Sequence, residues 1–402
     1  MRITVQELNR QMLHVINDRN YDMSKLQQQI ATGKRLLKPS DDPVDVANTL
    51  KLETRLKEFA QFKKNINDGV SYMNVTSTAL DSMNTLMQRA RELAVQGSND
   101  TLSANERAFL NRESTQLFRQ MVALTNTEFK GDFIFSGTHT KTPPYQIYES
   151  QNLTAQNYIN NEMAYFNAGG MPVGSAVQLF NGFDNSVIRN IIPDSFSLSV
   201  AGVNYVENTD FTVDYTSGTI TLLNPALLVD ATPGTANYAI GQVALSFESI
   251  NTGRDIYGNT ISNWGDVYRE IESGIIMPIN ITADEMTKDS QTGYDMIGTM
   301  IRFGQNLLQN NQPGIQNAID EIDGVFGAML AAQSKNGARI NRFETTLDRN
   351  ESNYISTSEI QSQLADTDLA DAVMQYATME NVYNAALKTA AKIIQPSLVN
   401  YL

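Results

Sequence analysis

The sequence predicts an α+β protein: a long coiled-coil-like helical rod built from both chain ends, with a β-rich domain inserted in the middle. Three observations carry this. Apolar residues near each terminus recur in alternating steps of three and four, the repeat that lays one stripe along a helix. Proline is missing between Pro43 and Pro143 and again between Pro313 and Pro396. Interior proline breaks helices, so long helices fit in those two gaps. Between them, roughly 141–290, the chain holds seven of its eleven prolines and several runs of period-two alternation, the mark of antiparallel β structure.

The N-terminal stripe is Leu13, Ile16, Asn20, Met23, Gln27 and Ile30. Asp42-Pro43-Val44-Asp45 then opens a second helix. Asp42 suits the N-cap, Pro43 the first helical position and Asp45 the positive end of the dipole. Leu52, Leu56, Phe59, Lys63, Ile66, Val70, Met73, Ser77 and Leu80 hold a heptad register, which Met83, Leu86, Ala90 and Leu93 continue. Gly97 reads as the stop. Ser103-Ala104-Asn105-Glu106 is a capping box, opening a helix with Leu110, Ser114, Leu117, Met121 and Leu124 on one face.

In the middle, Phe196, Leu198 and Val200 alternate with serines. Phe211, Val213 and Tyr215 alternate before a Thr216-Ser217-Gly218 turn into Thr219–Leu222, and Val243, Leu245 and Phe247 mark another strand. Further on, Ile315, Ile319, Ile322, Phe326, Met329, Gln333, Asn336, Ile340, Phe343, Leu347, Asn350 and Tyr354 keep one unbroken register. A helix of about 40 residues would be about 60 Å long. Leu364 fits that register and Leu369 does not, so a break is expected near Asp366-Thr367-Asp368. The C-terminal stripe is Leu369, Val373, Tyr376, Glu380, Tyr383, Leu387, Ala390 and Ile394. The expected organisation is an assembly domain of terminal helices (1–40 and 361–402), a helical rod (41–140 and 291–360) and an inserted outer β domain (141–290).

Composition narrows the function. The 402 residues carry a formal net charge of −14, which argues against nucleic acid and polybasic membrane-surface binding. Without cysteine there are no disulfides, thiolate metal sites or cysteine nucleophile. No run of about 18 apolar residues occurs, so no membrane insertion is expected. The N-terminal pattern is amphipathic and lacks the continuous apolar stretch of a cleaved signal peptide. Zincin, phosphate-loop and nucleophile-elbow motifs are absent. His14 lies beside an amphipathic stripe and His139 in a loop, neither with metal-ligand spacing. Asp41-Asp42 and Asp366, Asp368 and Asp371 read as helix-start groups rather than acid–base pairs. Met23, Met73, Met83, Met121 and Met329 fall on the stripes and read as core filling. No enzymatic activity, cofactor or metal is expected.

The polar residues inside the terminal seams, Asn20, Gln27 and Glu380, cost stability and fix register. Isolated amphipathic helices are marginal, because most of their stability comes from packing. Both ends are therefore expected to be mobile in the free monomer and to fold on assembly.

Ala31-Thr32-Gly33-Lys34-Arg35-Leu36, followed by Lys38-Pro39-Ser40-Asp41-Asp42-Pro43, resembles the N-terminal signature shared by bacterial flagellins and flagellar hook–filament junction proteins. The Asp-Asp-Pro form is more like the junction proteins. Gly131-Asp132-Phe133-Ile134-Phe135-Ser136-Gly137, Gly337-Ala338-Arg339-Ile340-Asn341-Arg342 and the ending Ser397-Leu398-Val399-Asn400-Tyr401-Leu402 are similar to theirs as well. The resemblance covers about 1–140 and 291–402. It implies a structural adaptor ring joining hook to filament, exported uncleaved through the flagellar type III apparatus to the extracellular flagellum. The implied partners are further copies of the chain, flagellin above, the other hook-associated junction protein below, and an export chaperone. The alternatives are flagellin itself, a cytoplasmic coiled-coil adaptor, or a secreted enzyme with its chemistry in the insertion.

Overall fold

A computed structural model describes residues 5–153, 164–165, 176–181, 187–200, 203–224, 243–252 and 265–394. The described helices are α1 (Val5–Thr32), α2 (Pro43–Gly97), α3 (Ala104–Thr125), α4 (Ala283–Thr287), α5 (Met296–Leu308), α6 (Gln312–Ala365) and α7 (Leu369–Ile394). Their ends carry the expected chemistry. Asp42 Oδ1 accepts from the backbone N–H of Val44 and Asp45 at 3.1 and 3.0 Å, capping α2. Ser103 and Glu106 form a reciprocal capping box on α3. The break between α6 and α7 falls at Asp366-Thr367-Asp368, where Asp368 Oδ1 accepts from Ala370 and Asp371.

Contacts divide the chain into two compact units: residues 1–65 with 346–402, and residues 66–345. The boundaries read from sequence at 40/41 and 360/361 fall inside the first unit.

The second unit holds a thick core. Ile66, Met73, Leu80, Met83, Met87 and Leu93 of α2 are fully buried, with Phe118 and Met121 of α3, Ile301, Phe303 and Leu307 of α5, and Ile322, Met329 and Phe343 of α6. Helices α3 and α5 pack on each other. Buried Arg107 donates to the carbonyls of Gly97 (3.0 Å) and Asn99 (2.9 Å) and to Asn310, tying the α2–α3 turn to the residues after α5.

The buried lines differ from the sequence stripes by one residue at every second step. On α6 the buried positions run Ile315, Ala318, Ile322, Val325, Met329, Ala332, Asn336, Arg339, Phe343, Thr346 and Asn350. Ile319, Phe326, Gln333, Ile340 and Leu347 flank that line half-buried. On α2 the line includes Phe62, Gly69 and Thr76 where Lys63, Val70 and Ser77 were expected. At Gly69 the reason is room for a ring: a Cβ there would come within 2.6 Å of Phe343 Cε1, so a small residue faces the large one.

The β elements come in small sheets. The strands are β1 (Glu128–Phe129), β2 (Asp132–Phe133), β3 (Tyr145–Leu153), β4 (Ala164–Tyr165), β5 (Ala176–Gln178), β6 (Phe180–Asn181) and β7 (Ser197–Val200). They continue with β8 (Val203–Tyr205), β9 (Phe211–Asp214), β10 (Thr219–Leu222), β11 (Val243–Thr252), β12 (Tyr268–Glu272) and β13 (Ile275–Pro278). One sheet has the order β3-β11-β7-β8 and another β5-β10-β9; β1–β2, β4–β6 and β12–β13 are two-stranded, and every pairing is antiparallel. Phe211, Val213 and Tyr215 are all buried, as their alternation predicts. Asp214 Oδ1 accepts from Thr216 and Ser217 N–H across the turn, and Gly218 follows at φ +70°. A Cβ there would sit 2.0 Å from the carbonyl oxygen of Ile188, so only glycine fits.

Phe343→Ala should remove about 3–5 kcal/mol of stability, because a fully buried ring in a close helix contact leaves a cavity. Urea unfolding followed by far-UV circular dichroism checks this.

Candidate assembly site

In the first unit α1 and α7 pack against each other. The half-buried positions on α1 include Met12, Ile16, Arg19, Met23, Leu26 and Ile30, in alternating steps of four and three. On α7 the covered positions are Ala372, Tyr376, Met379, Tyr383, Ala386 and Ala390, in the same rhythm. Two helices with matching 3.5-residue lines form a coiled-coil-like seam.

The stripe read from sequence divides across this seam. Ile16, Met23, Ile30, Tyr376, Tyr383 and Ala390 lie on the covered line. Leu13, Asn20, Gln27, Leu369, Val373, Glu380 and Leu387 lie beside it and are exposed. Ile394 belongs to α7, but its side chain lies outside the description, as does the Ser397–Leu402 ending. Leu13 is 56% exposed, Leu369 51% and Val373 52%. The α7 positions Met374 and Val382 widen this uncovered apolar surface. Met12, Arg19, Leu26, Met379 and Ala386 were missed by the sequence reading, since steps of three and four satisfy the repeat equally well.

Buried side chains in this unit are few. Phe59, Phe62, Asn350, Thr346, Ala365, Ala372 and Ala390 are the described ones. Asn350 Nδ2 donates to the carbonyl of Phe59 at 2.9 Å, and Lys63 pairs with Glu351. In the second unit Asn336 Nδ2 donates likewise to the carbonyl of Met73 at 2.8 Å. Residues 336 and 350 are two heptads apart, and so are 59 and 73. Each amide bond fits one offset between its two helices and so fixes register locally.

A clamp holds the two chain breaks of this unit together. The backbone N–H of Arg35 donates to Ala365 O at 2.8 Å, and that of Thr367 to Gly33 O at 2.9 Å. Lys34 pairs with Asp366, which Ser362 also reaches. Arg35 donates to Leu364 O through Nη2 at 2.7 Å and pairs with Asp45. Gly33 leaves α1 at φ +69°, a left-handed turn that favours glycine. Asp41 accepts from Lys25 Nζ at 2.9 Å and from the N–H groups of Leu37 and Lys38 at 3.0 and 2.9 Å. The Thr-Gly-Lys-Arg…Asp-Asp-Pro run is therefore a turn that ties α1 to the α6–α7 break. These bonds, led by the one from Lys25, hold the Asp41 carboxyl below the usual aspartate range. Lys34, then Ser362, do the same to Asp366.

His14 Nδ1 meets Asp18 at 2.7 Å on the exposed face of α1. Among the described residues no group of three His, Cys, Asp or Glu could hold a metal ion, and no helix is long and apolar enough to cross a membrane.

Acid should open the clamp. A carboxyl whose folded pKa is depressed contributes fully above its ordinary value, 3.8 for Asp41, and loses that contribution as pH falls below it. Protection of the Leu37 and Lys38 amides, corrected for the intrinsic exchange rate, should fall below about pH 4, and in Asp41→Asn exchange should already be severalfold faster at neutral pH.

Residues 3–140 match the bacterial flagellin N-terminal helical region. A flagellin of Clostridium tyrobutyricum is 22% identical over 90% of this chain and 91% of its own length. Flagellar hook-associated protein 3 of Escherichia coli K12 is 30% identical over 36% of this chain, a match spanning 46% of that protein. The crystal structure of Bacillus cereus FlgL superposes on 78% of this chain and 99% of its own, with a TM-score of 0.42 and 13% identity. Residues 3–140 are thus similar to the N-terminal helical region of bacterial flagellins.

Proposed function

We propose that this chain is a structural subunit of the bacterial flagellum, an adaptor at the hook–filament junction. The observation that carries the assembly part is the pair of exposed apolar stripes. Leu13 on α1 and Leu369, Val373 and Leu387 on α7 lie uncovered beside a seam that is already closed within one chain. Each such side chain, fully buried, contributes about 1.5–3 kcal/mol. A second copy of the seam covering these stripes would therefore bind well. Asn20, Gln27 and Glu380 lie on the same exposed line and would set the register between subunits. Head-to-tail contacts of this kind close into rings or continue as filaments.

The place in the flagellum rests on the Asp41-Asp42-Pro43 form of the signature and on the hook-associated protein 3 relative. On this reading the ring lies between flagellin and another hook-associated protein. The subunit leaves the cell through the flagellar export apparatus after release from a chaperone. A second reading, flagellin itself, draws on the match along nearly the whole length of the Clostridium protein. Deleting the gene separates them. Bare hooks with flagellin shed into the medium support the junction; bare hooks with no flagellin anywhere support the filament subunit; normal filaments contradict both.

Val373→Glu combined with Leu387→Glu should leave the monomer folded and abolish filament attachment, since both positions are exposed in the single chain. Complementation of the deletion strain, scored by swimming and electron microscopy, measures this. The sparse core of the first unit also implies that α1 and α7 exchange faster than the second unit until assembly. Backbone NMR of the free protein showing rigid, dispersed signals from α1 and α7 would overturn that.

A further inference from the structure

The small β segment of residues 187–200 and 203–224 contains a half-buried carboxyl, that of Glu207, with one oxygen fully covered. Tyr215, fully buried at the end of β9, donates its hydroxyl to Glu207 Oε2 at 2.6 Å. The backbone N–H of Asp194 donates to the same hydroxyl. Glu207 Oε1 is buried and, among the described residues, has no hydrogen-bond partner. The groups acting on this carboxyl are Tyr215 and the Asp194 carboxylate. Asp194 itself pairs with Arg112 Nε of α3 at 3.8 Å. An ionised Glu207 would thus be a half-buried negative charge with Tyr215 as its donor and a carboxylate beside it, an arrangement that costs free energy.

We infer that Glu207 is a proton-dependent latch for the 187–224 segment: as the neutral acid it closes the segment around Tyr215, and as the carboxylate it loosens it.

Burial first, then the Asp194 charge, push the Glu207 carboxyl above the ordinary glutamate value of 4.5, while the Tyr215 bond pulls the other way. The folded state therefore holds its proton more tightly than the unfolded chain. Stability of the segment is greatest below pH 4.5 and falls as pH rises through the folded value. Beside Arg189, Asp194, Tyr205 and Asp214, two groups of the segment are shifted themselves. Tyr215 is raised by burial and stays neutral in this range. Asp210 has the opposite sign, held below its ordinary 3.8 by Val206 N–H and Asn224, so its contribution is lost only in stronger acid. A window from about pH 5 to 8 isolates Glu207.

The test is hydrogen–deuterium exchange of the full chain across that window, corrected for intrinsic exchange and read on peptides from 203–224. Protection in the parent chain should fall with rising pH, by up to about tenfold per unit in its steepest part. In Glu207→Gln it should be nearly flat. Asp194→Asn removes the neighbouring charge and should shrink the decline; asparagine tolerates the left-handed backbone there (φ +68°). Protection that does not change between pH 5 and 8 in the parent, or a decline of equal size in Glu207→Gln, overturns the latch. If Glu207→Gln shows no protection at any pH, the Asp194→Asn result decides: a smaller decline supports the latch and an unchanged one overturns it.

Discussion

Packing between long helices is the constraint from which the rest follows. Gly69 lies so near Phe343 that a methyl group would overlap the ring. Beside large apolar side chains the contact line therefore holds two special kinds of residue, small ones that make room for a ring and amides that reach the opposite backbone. Asn336 and Asn350 do the second, each donating to a helix carbonyl across its contact. A side-chain amide that bonds a backbone oxygen has no equivalent one turn away, because the donor would then meet a different side chain. Polar residues at these positions lower stability and raise the specificity of register.

The two units use the same helix grammar with different amounts of buried surface. In the second, α2 and α6 are joined by α3 and α5, so each helix buries more than one stripe, and aromatic, aliphatic and Met side chains fill the interior. In the first, α1 and α7 have mainly each other, and their seam leaves apolar side chains in water. An unassembled seam of this kind is held by few buried groups. The clamp of Lys34, Arg35, Asp41 and Asp366 compensates in part. It pins the two chain breaks together with backbone bonds that need no large core. The signature run is thus explained by a turn that must be left-handed at Gly33 and a carboxylate at position 41 that collects two N–H groups and a lysine.

Much of the architecture was legible in the sequence. Proline gaps, the Asp42-Pro43 start, the Gly97 stop, the Ser103 capping box and the Asp366–Asp368 break are local, because helix ends are decided by groups within a few residues of one another. Strand alternation at Phe211, Val213 and Tyr215 was legible for the same reason. The contact lines were only half legible. Positions such as Ile16, Met23, Met73 and Phe343 belong to the true line, whereas Leu13, Lys63 and Ile340 lie beside it. A 3.5-residue repeat is satisfied by 3 then 4 or by 4 then 3, and hydrophobicity alone favours the bulkier choice. The partner helix decides otherwise, since it leaves room for Gly69, Ala332 or Ala372 and not for their larger neighbours Val70, Gln333 and Val373.

The sequence by itself therefore determined several helix boundaries, the β character of the middle and the resemblance to flagellins, because each rests on short-range chemistry or on an ordered set of motifs. Only the tertiary structure decided which face of each helix is covered, that α1 and α7 close a seam within one chain, and that Lys34 meets Asp366. It alone brought Glu207, Tyr215 and Asp194 together. Those facts depend on which distant segment arrives as neighbour, and on how closely its backbone can approach.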